Sequence, residues 1–417
     1  MRSYVLLALG LFFLGQESYA QLLLKNATII NGDAAIKPRK GSLLIRGEKI
    51  VQIIDDPAAI PAGVTRVIDC TGKFITPGLM DAHVHLATVD MNRQKRMHAK
   101  TDSILENMLR HGITSVRDMA GDAIFLAEYK RAIATGQLTG PDIFYAAQFA
   151  GPGYFAMMKG SSRADDDLGT TPWYCAITPQ TNIALAVAAA KGAGASGIKI
   201  YADLTKEQIA AITREAHARG LQAWSHGTVF PAKPMDGVAA GVNSLSHAGD
   251  FAFQQLKGDT LALHGAWAQL YSKSFVFDTT VQVQLLKAMQ QRGIFLDPTI
   301  FHASNNKLYN AFTVTRIAHR LGVKIVTGTD WIYPEKNEPV PLMNEMLLLV
   351  SKCGLTIPEA IQCATLNSAT VTGLHDRGQI REGALADLLI TNTNPYISLP
   401  ALFQPEMVIK RGQVRQW

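Results

Sequence analysis

Two histidines one residue apart, in Asp81-Ala-His83-Val-His85, are the first residues of this sequence that could do chemistry together. They close an apolar run that begins at Gly78, and since strand side chains alternate with period two, His83 and His85 point to the same side. Two imidazoles on one face at a strand's carboxyl end can grip one metal ion. A lone His-x-His serves packing or hydrogen bonding as readily, so its weight comes from its company. His226 follows the strand-like run Gln222 to Ser225, and His247 follows Asn243 to Ser246. Asp330 follows Thr327-Gly328-Thr329, where a carboxylate can bind metal, take a proton from bound water, or simply cap the next helix. Lys199 lies inside the apolar strand Gly197-Ile-Lys-Ile-Tyr201, where a charged amine is costly unless it pairs with an acid or is chemically modified.

Aromatic residues join this set as substrate contacts. Tyr201 shares the strand phase of Lys199 and should face the same interior, within reach of a developing oxyanion; aromatic packing is the competing reading. Tyr154, in the glycine-rich stretch Gly151-Pro-Gly-Tyr154, is a candidate pocket wall. The remaining histidines (His98, His111, His217, His264, His302, His319 and His375) fall mostly in helical or loop segments and need no ligand role. His217 and His319 stand near helix ends, whose negative end they suit. His302 follows the seventh central strand and could brush the pocket.

The elements that must hold these residues alternate. Gly78 to Ala82, Ile113 to Arg117, Ile143 to Ala147, Gly197 to Tyr201, Gln222 to Ser225, Ser244 to Ser246, Phe295 to Pro298 and Lys324 to Gly328 read as strands. Helical patterns lie between them, among them Ser103 to His111, Lys206 to Arg219, Val281 to Arg292, Val314 to Leu321 and Ile357 to Thr365. Eight strands interleaved with helices point to an α/β fold of the closed (β/α)8 barrel type rather than an open doubly wound sheet. Such a barrel brings Asp330 on its last strand beside the histidines of its first.

Both ends of the chain have a different texture. Short β-type runs separated by turn residues fill Gln21 to Ile68 and return at Ala386 to Thr391 and Glu406 to Ile409, so the two ends should meet in one β domain. The expected division is a leader over 1–20, the first part of the β domain over 21–76, the barrel over 77–377, and the rest of the β domain over 378–417. The leader has a charged start, an apolar run from Tyr4 to Leu14 and the exit Ser18-Tyr19-Ala20, the pattern of a secretory signal. Export to the periplasm or beyond, with cleavage before Gln21, is therefore expected. The apolar run is too short for a membrane span, and stable membrane insertion is not expected. The formal charge of +6 is diffuse and forms no Lys/Arg stripe suited to nucleic acid. Four cysteines permit a disulfide, Cys353 and Cys363 being nearest in sequence, but buried free thiols fit equally well. A homo-oligomer is left open.

The run Gly72-Lys-Phe-Ile-Thr-Pro-Gly-Leu-Met-Asp-Ala-His-Val-His85 resembles the opening motif of the amidohydrolase superfamily, in particular its imidazolonepropionase-like and metal-dependent prolidase-like members. The likeness continues through Gly112-Ile-Thr-Ser-Val-Arg-Asp118, Ser196-Gly-Ile-Lys-Ile-Tyr201, Ala223-Trp-Ser-His226, the stretch from Ala240 to His247, Gly328-Thr-Asp330, and Gly383-Ala-Leu-Ala-Asp-Leu-Leu389. It implies a barrel beside a β-sandwich built from the chain ends, and a centre of two divalent metal ions, most often zinc. His83, His85 and Asp330 would hold one ion, and His226 and His247 the other. Lys199, carboxylated by carbon dioxide, would bridge them together with a hydroxide. Asp330 would move the proton from water to the leaving amine, and the substrate would be a small-molecule amide such as a dipeptide or N-acyl amino acid. Hydrolysis of a cyclic amide, or of a lactone or other ester, is the enzymatic alternative; a metal-containing binding protein without turnover is the non-enzymatic one. The sequence departs from its relatives at Thr228, where many carry a second histidine, and at Gly151 to Tyr154, where Gly-Gly-His is frequent.

Overall fold

A computed structural model describes residues 21–56, 58–88, 98–159, 168–256, 270, 275–330 and 340–417; the expected leader and His264 lie outside them, as does the side chain of His98. Strands β1 (Gln21–Ile29), β2 (Arg39–Arg46) and β3 (Lys49–Ile54) pair antiparallel, and β4 (Arg66–Asp69) and β5 (Phe74–Pro77) run parallel to β1. The two runs read at Leu22 to Leu24 and Ala27 to Ile30 are one strand. A register shift between Leu24 and Ala27 absorbs the polar break, with Asn26 at φ 64°, a conformation that asparagine tolerates better than most residues.

The barrel strands are β6 (Leu79–Val84), β7 (Ile113–Asp118), β8 (Asp142–Ala150), β10 (Gly197–Ile200), β11 (Gln222–His226), β12 (Ser244–Ser246) and β13 (Phe295–Asp297), hydrogen-bonded in that order and all parallel. A short strand not expected from the sequence, β9 (Tyr174–Ala176), branches from the end of β8. Every residue of β6 and β7 is buried, which is what strands sandwiched between a filled interior and an outer helical layer require. The helix Lys206–Ala218 illustrates that outer layer. Thr205 and Gln208 form a capping box at its start, and Ile209, Ile212, Thr213 and Ala216 bury one face at helical spacing.

Lys324 to Gly328 departs from the regular eighth strand expected there. It makes one isolated bridge, Ile325 to Leu296, yet Val326 N–H donates to Leu296 O at 3.0 Å and Ala82 N–H to Thr327 O at 2.9 Å. Side-chain bonds replace the missing ladder: Thr327 Oγ1 donates to Met80 O, and Thr329 Oγ1 to Asp81 Oδ2. The segment thus stands between β13 and β6 and all but closes the barrel.

After the barrel, β14 (Leu388–Thr391), β15 (Met407–Lys410) and β16 (Gln413–Arg415) pair antiparallel, and β14 joins β5. The chain ends therefore share one mixed sheet, separate from the barrel. Buried charges tie the two together: Asp142, at the start of β8, accepts from Arg377 at 2.6 Å and Lys410 at 2.9 Å, and Lys410 also reaches Asp387. All four cysteines are free thiols, so the bridge left open for Cys353 and Cys363 does not form. Among the described residues no helix is long and apolar enough to cross a membrane.

Candidate metal centre

Carboxyl ends of the barrel strands converge on one cavity of about 610 Å³. His83 comes from β6 and His85 from just after it, Lys199 from β10, His226 from β11, and His247 and Asp330 from the residues after β12 and the closing segment. All six residues expected as ligands line this cavity, as do Tyr201 and Tyr154. Three consecutive strand exits turn through the left-handed region: His247 at φ 66°, Thr299 at 47° and Asp330 at 52°. Such conformations are unfavourable for residues with a Cβ and persist where the surroundings over-determine them. Here they swing side chains off the strand direction at the cavity floor.

Hydrogen bonds fix how the imidazoles are presented. His83 Nδ1–H donates to Asp297 Oδ2 at 2.7 Å, and His85 Nδ1–H donates to the Ala120 carbonyl at 3.2 Å. In the neutral rings the lone pair is then on Nε2. Both Nε2 atoms face the same oxygen, Asp330 Oδ1, at 3.2 and 2.9 Å respectively. Three acceptors meeting at one point are favourable only around a cation or shared protons. His247 completes the group: its ligating atoms and those of His83 and Asp330 lie within 4.8 Å of one another. The donor set therefore fits a divalent metal ion.

Charges respond to this crowding. Burial works against ionising Asp330, but the adjoining His83, His247 and His85 hold its carboxyl well below the ordinary range. His85 is pulled up by Asp330 in spite of burial. Burial, helped by the Lys199 charge, keeps His226 and His247 neutral far below the usual histidine range. Burial also brings the Lys199 ammonium down to about 8, against the pull of Asp297 and Asp330. Its Nζ donates to Ser246 Oγ at 3.2 Å, and Ser246 in turn donates to Asp297.

Tyr201 packs, with its ring tilted, 4.3 Å from His226 and 4.6 Å from Tyr154, measured between ring centroids. Thr228, where relatives carry histidine, is buried and donates its backbone N–H to His226 Nδ1 at 2.9 Å. His302, whose pocket role the sequence left as a minor reading, stands with Nδ1 3.2 Å from Asp330 Oδ2. His217 and His319 take side-chain partners, Asn243 and Glu359.

Several polar residues of the site were not singled out by the sequence. Asp297, the last residue of β13, accepts from His83, Ser246 and Arg117. Thr299 bonds His247 Nδ1 at 3.0 Å, and Gln148 of β8 lines the cavity. Asp297 had a detectable signal, an acid ending an apolar strand immediately before Pro298. Gly328 is explained by the same contact, since a Cβ there would lie 2.3 Å from Asp297 Oδ1 and 2.7 Å from His83 Cβ.

The sequence profile of the amidohydrolase family matches residues 74–415. An ochratoxinase of Aspergillus niger is 26% identical over 431 residues, covering 91% of this chain and 83% of its own. A solved Xaa-Pro dipeptidase with bound methionine superposes with a TM-score of 0.75 at 22% identity, covering 95% of this chain and all of that one. A putative prolidase from Bifidobacterium longum gives 0.70 at 24% identity, with 95% of both chains covered.

Proposed function

The chain belongs to the amidohydrolase family as a metal-binding enzyme acting on C–N bonds, and from this premise we propose that it hydrolyses the amide of a dipeptide or N-acyl amino acid at two divalent cations. The convergence of His83 Nε2 and His85 Nε2 on Asp330 Oδ1 carries this reading, because it suits a cation with a carboxylate already in place. In the proposal His83, His85 and Asp330 would hold one ion, His226 and His247 the other, and Lys199, as a carbamate, would serve as a ligand to both. Zinc is the first choice for this nitrogen and oxygen set. When bound, such ions lower the pKa of water and polarise the scissile carbonyl.

The chain's own residues supply the rest. Lys199 is buried with a lowered pKa, which favours the free amine that adds to carbon dioxide; loss of one proton then leaves a carboxylate. Asp330, held ionised, accepts a proton from attacking water and delivers it to the leaving nitrogen, because an amide anion is too poor a leaving group to depart unprotonated. Tyr201, beside His226, offers a hydroxyl toward the carbonyl oxygen as negative charge develops.

A substrate panel with the metal-loaded enzyme tests the reading: dipeptides and N-acyl amino acids beside imidazolone-type cyclic amides and lactones. Turnover of the open-chain amides is expected, and turnover confined to cyclic amides or esters would overturn it. We also propose export with cleavage after Ala20. Amino-terminal sequencing of protein recovered from its producing cells should begin at Gln21; protein beginning at Met1 would be decisive against it.

A further inference from the structure

Building on the amide-hydrolase reading, we propose that the acyl half of the substrate is a flat apolar group, an aryl-acyl group, held in the lobe of the cavity between β8, β9 and the helix Pro152–Met158. Tyr174, Gln148 and Lys199 are register partners across β9, β8 and β10, so their side chains face the same way and form one row on the cavity wall. Tyr154 and Met158, from the helix, and Leu168 complete the lobe. Tyr154 lies 4.6 Å from Tyr201, and Tyr201 4.3 Å from His226, so the aromatic surface runs without a break to the ligand histidines. A planar group bonded to the scissile carbonyl would lie against that surface.

Tyr154, Tyr174, Met158 and Leu168 give the lobe mostly apolar walls. Lys199 is its only cation among the described lining residues, and it is already assigned as a ligand. Burial pushes the Tyr154 hydroxyl up to about 12, so it stays neutral. The Gln148 side chain is nearly buried and makes one long hydrogen bond among the described residues, 3.4 Å from Nε2 to the Tyr154 hydroxyl. Most of its capacity is left for an uncharged polar substituent, since a buried amide is best satisfied by a partner.

The position of Asp330 decides which half of the substrate enters. Its carboxylate hands a proton to the leaving nitrogen, and its Oδ2 stands 3.2 Å from His302 Nδ1, on the side of the helix Ile300–Asn305. The proposal accordingly puts the amine half toward His302 and Leu308, and the acyl half in the tyrosine-lined lobe.

The test compares N-benzoyl and N-acetyl derivatives of one amino acid on the metal-loaded enzyme. Calorimetric binding of the product acids, benzoate and acetate, gives a readout free of turnover. At least a tenfold advantage in kcat/KM and in Kd is expected for the aromatic partner, on the scale of burying a ring in an apolar pocket. Met158→Trp, which fills the lobe, should bring both ratios toward one. Equal turnover of the two amides with equal binding of the two acids would overturn the lobe assignment and leave the hydrolase reading standing. Selective benzoate binding without hydrolysis of either amide would instead remove the hydrolase reading and keep the lobe. An aromatic advantage unchanged by Met158→Trp would place the benzoyl ring outside this lobe and also overturns the assignment.

Discussion

His83 Nδ1 stands 2.7 Å from Asp297 Oδ2, and the same oxygen receives Ser246 Oγ at 3.0 Å and Arg117 Nη2 at 3.1 Å. One buried carboxylate thus joins three barrel strands, and through Ser246 it is linked to Lys199 on a fourth. Its effect on His83 is chemical as well as mechanical. By taking the Nδ1 hydrogen it fixes the tautomer that turns the Nε2 lone pair toward Asp330, and it raises the basicity of that nitrogen.

Asp297→Asn keeps the shape and removes the charge. Metal affinity should fall about 10- to 100-fold, the usual effect of losing a carboxylate behind a ligand histidine. Chelator competition measures it directly. An unchanged affinity in folded Asp297→Asn protein would mean that His83 is oriented by packing alone.

Lys199→Met separates ligand chemistry from packing. A buried ammonium is costly and methionine occupies a similar volume, so metal-free Lys199→Met protein should unfold at the same temperature as the parent or above it. If the proposed two-ion centre holds, bound metal should drop from two equivalents to one or fewer. Metal analysis and a thermal scan on one preparation give both numbers; two retained equivalents would refute the bridging role.

The buried clamp at the other end of the barrel sets an acid limit on stability. Despite burial, the charges of Lys410 and Arg377, with a hydrogen bond from Arg377, lower Asp142 to about 2, below the value of about 3.9 for an unfolded aspartate. A carboxyl depressed by folding stabilises fully above its unfolded pKa, and that stabilisation is lost as pH falls toward 2. Asp142→Asn should therefore cost about 3 kcal/mol or more in urea unfolding at pH 7, the scale for breaking a buried pair. The difference from the parent should shrink steadily between pH 4 and pH 2. A difference independent of pH would assign the loss to packing.

Much of this was legible in the sequence, for identifiable reasons. His83, His85, His226, His247 and Asp330 stand at the carboxyl ends of strand-like segments, and a closed barrel gathers such residues at one rim. The meeting of the chain ends in one sheet was visible as a repeated β texture. Asp297 and Gln148 escaped because their importance lies in partners far away in sequence: His83 is 214 positions from Asp297. His302 sits on a short helix whose direction is set by Glu345, which accepts from the backbone of Ile300 and Phe301, and no local pattern reports that contact. The closing segment at Lys324 to Gly328 looked like a strand, but the threonine side chains take over bonds that a ladder would have made.

Asp330 is the residue whose loss should reduce turnover most while sparing the fold. Its Oδ1 meets the Nε2 atoms of His83 and His85, and its Oδ2 lies 3.2 Å from His302 and 3.8 Å from His247, so one carboxylate spans the candidate ligand histidines and the open cavity. Two protons must move during amide hydrolysis: one leaves the attacking water and one reaches the departing nitrogen. A single group placed between them does both without exchange with solvent. Asparagine keeps the shape and a carbonyl oxygen for ligation but cannot carry a proton, and general acid–base contributions amount to about 10²- to 10⁴-fold. Asp330→Asn should thus lower kcat by at least about 10², with thermal stability little changed while metal stays bound. Because weakened ligation would also reduce the rate, kcat and metal content are to be measured on the same preparation. Fully metallated Asp330→Asn enzyme with near parental kcat would assign the proton transfer to another group, and His302, in contact with Asp330 and open to the cavity, would be the next residue to replace.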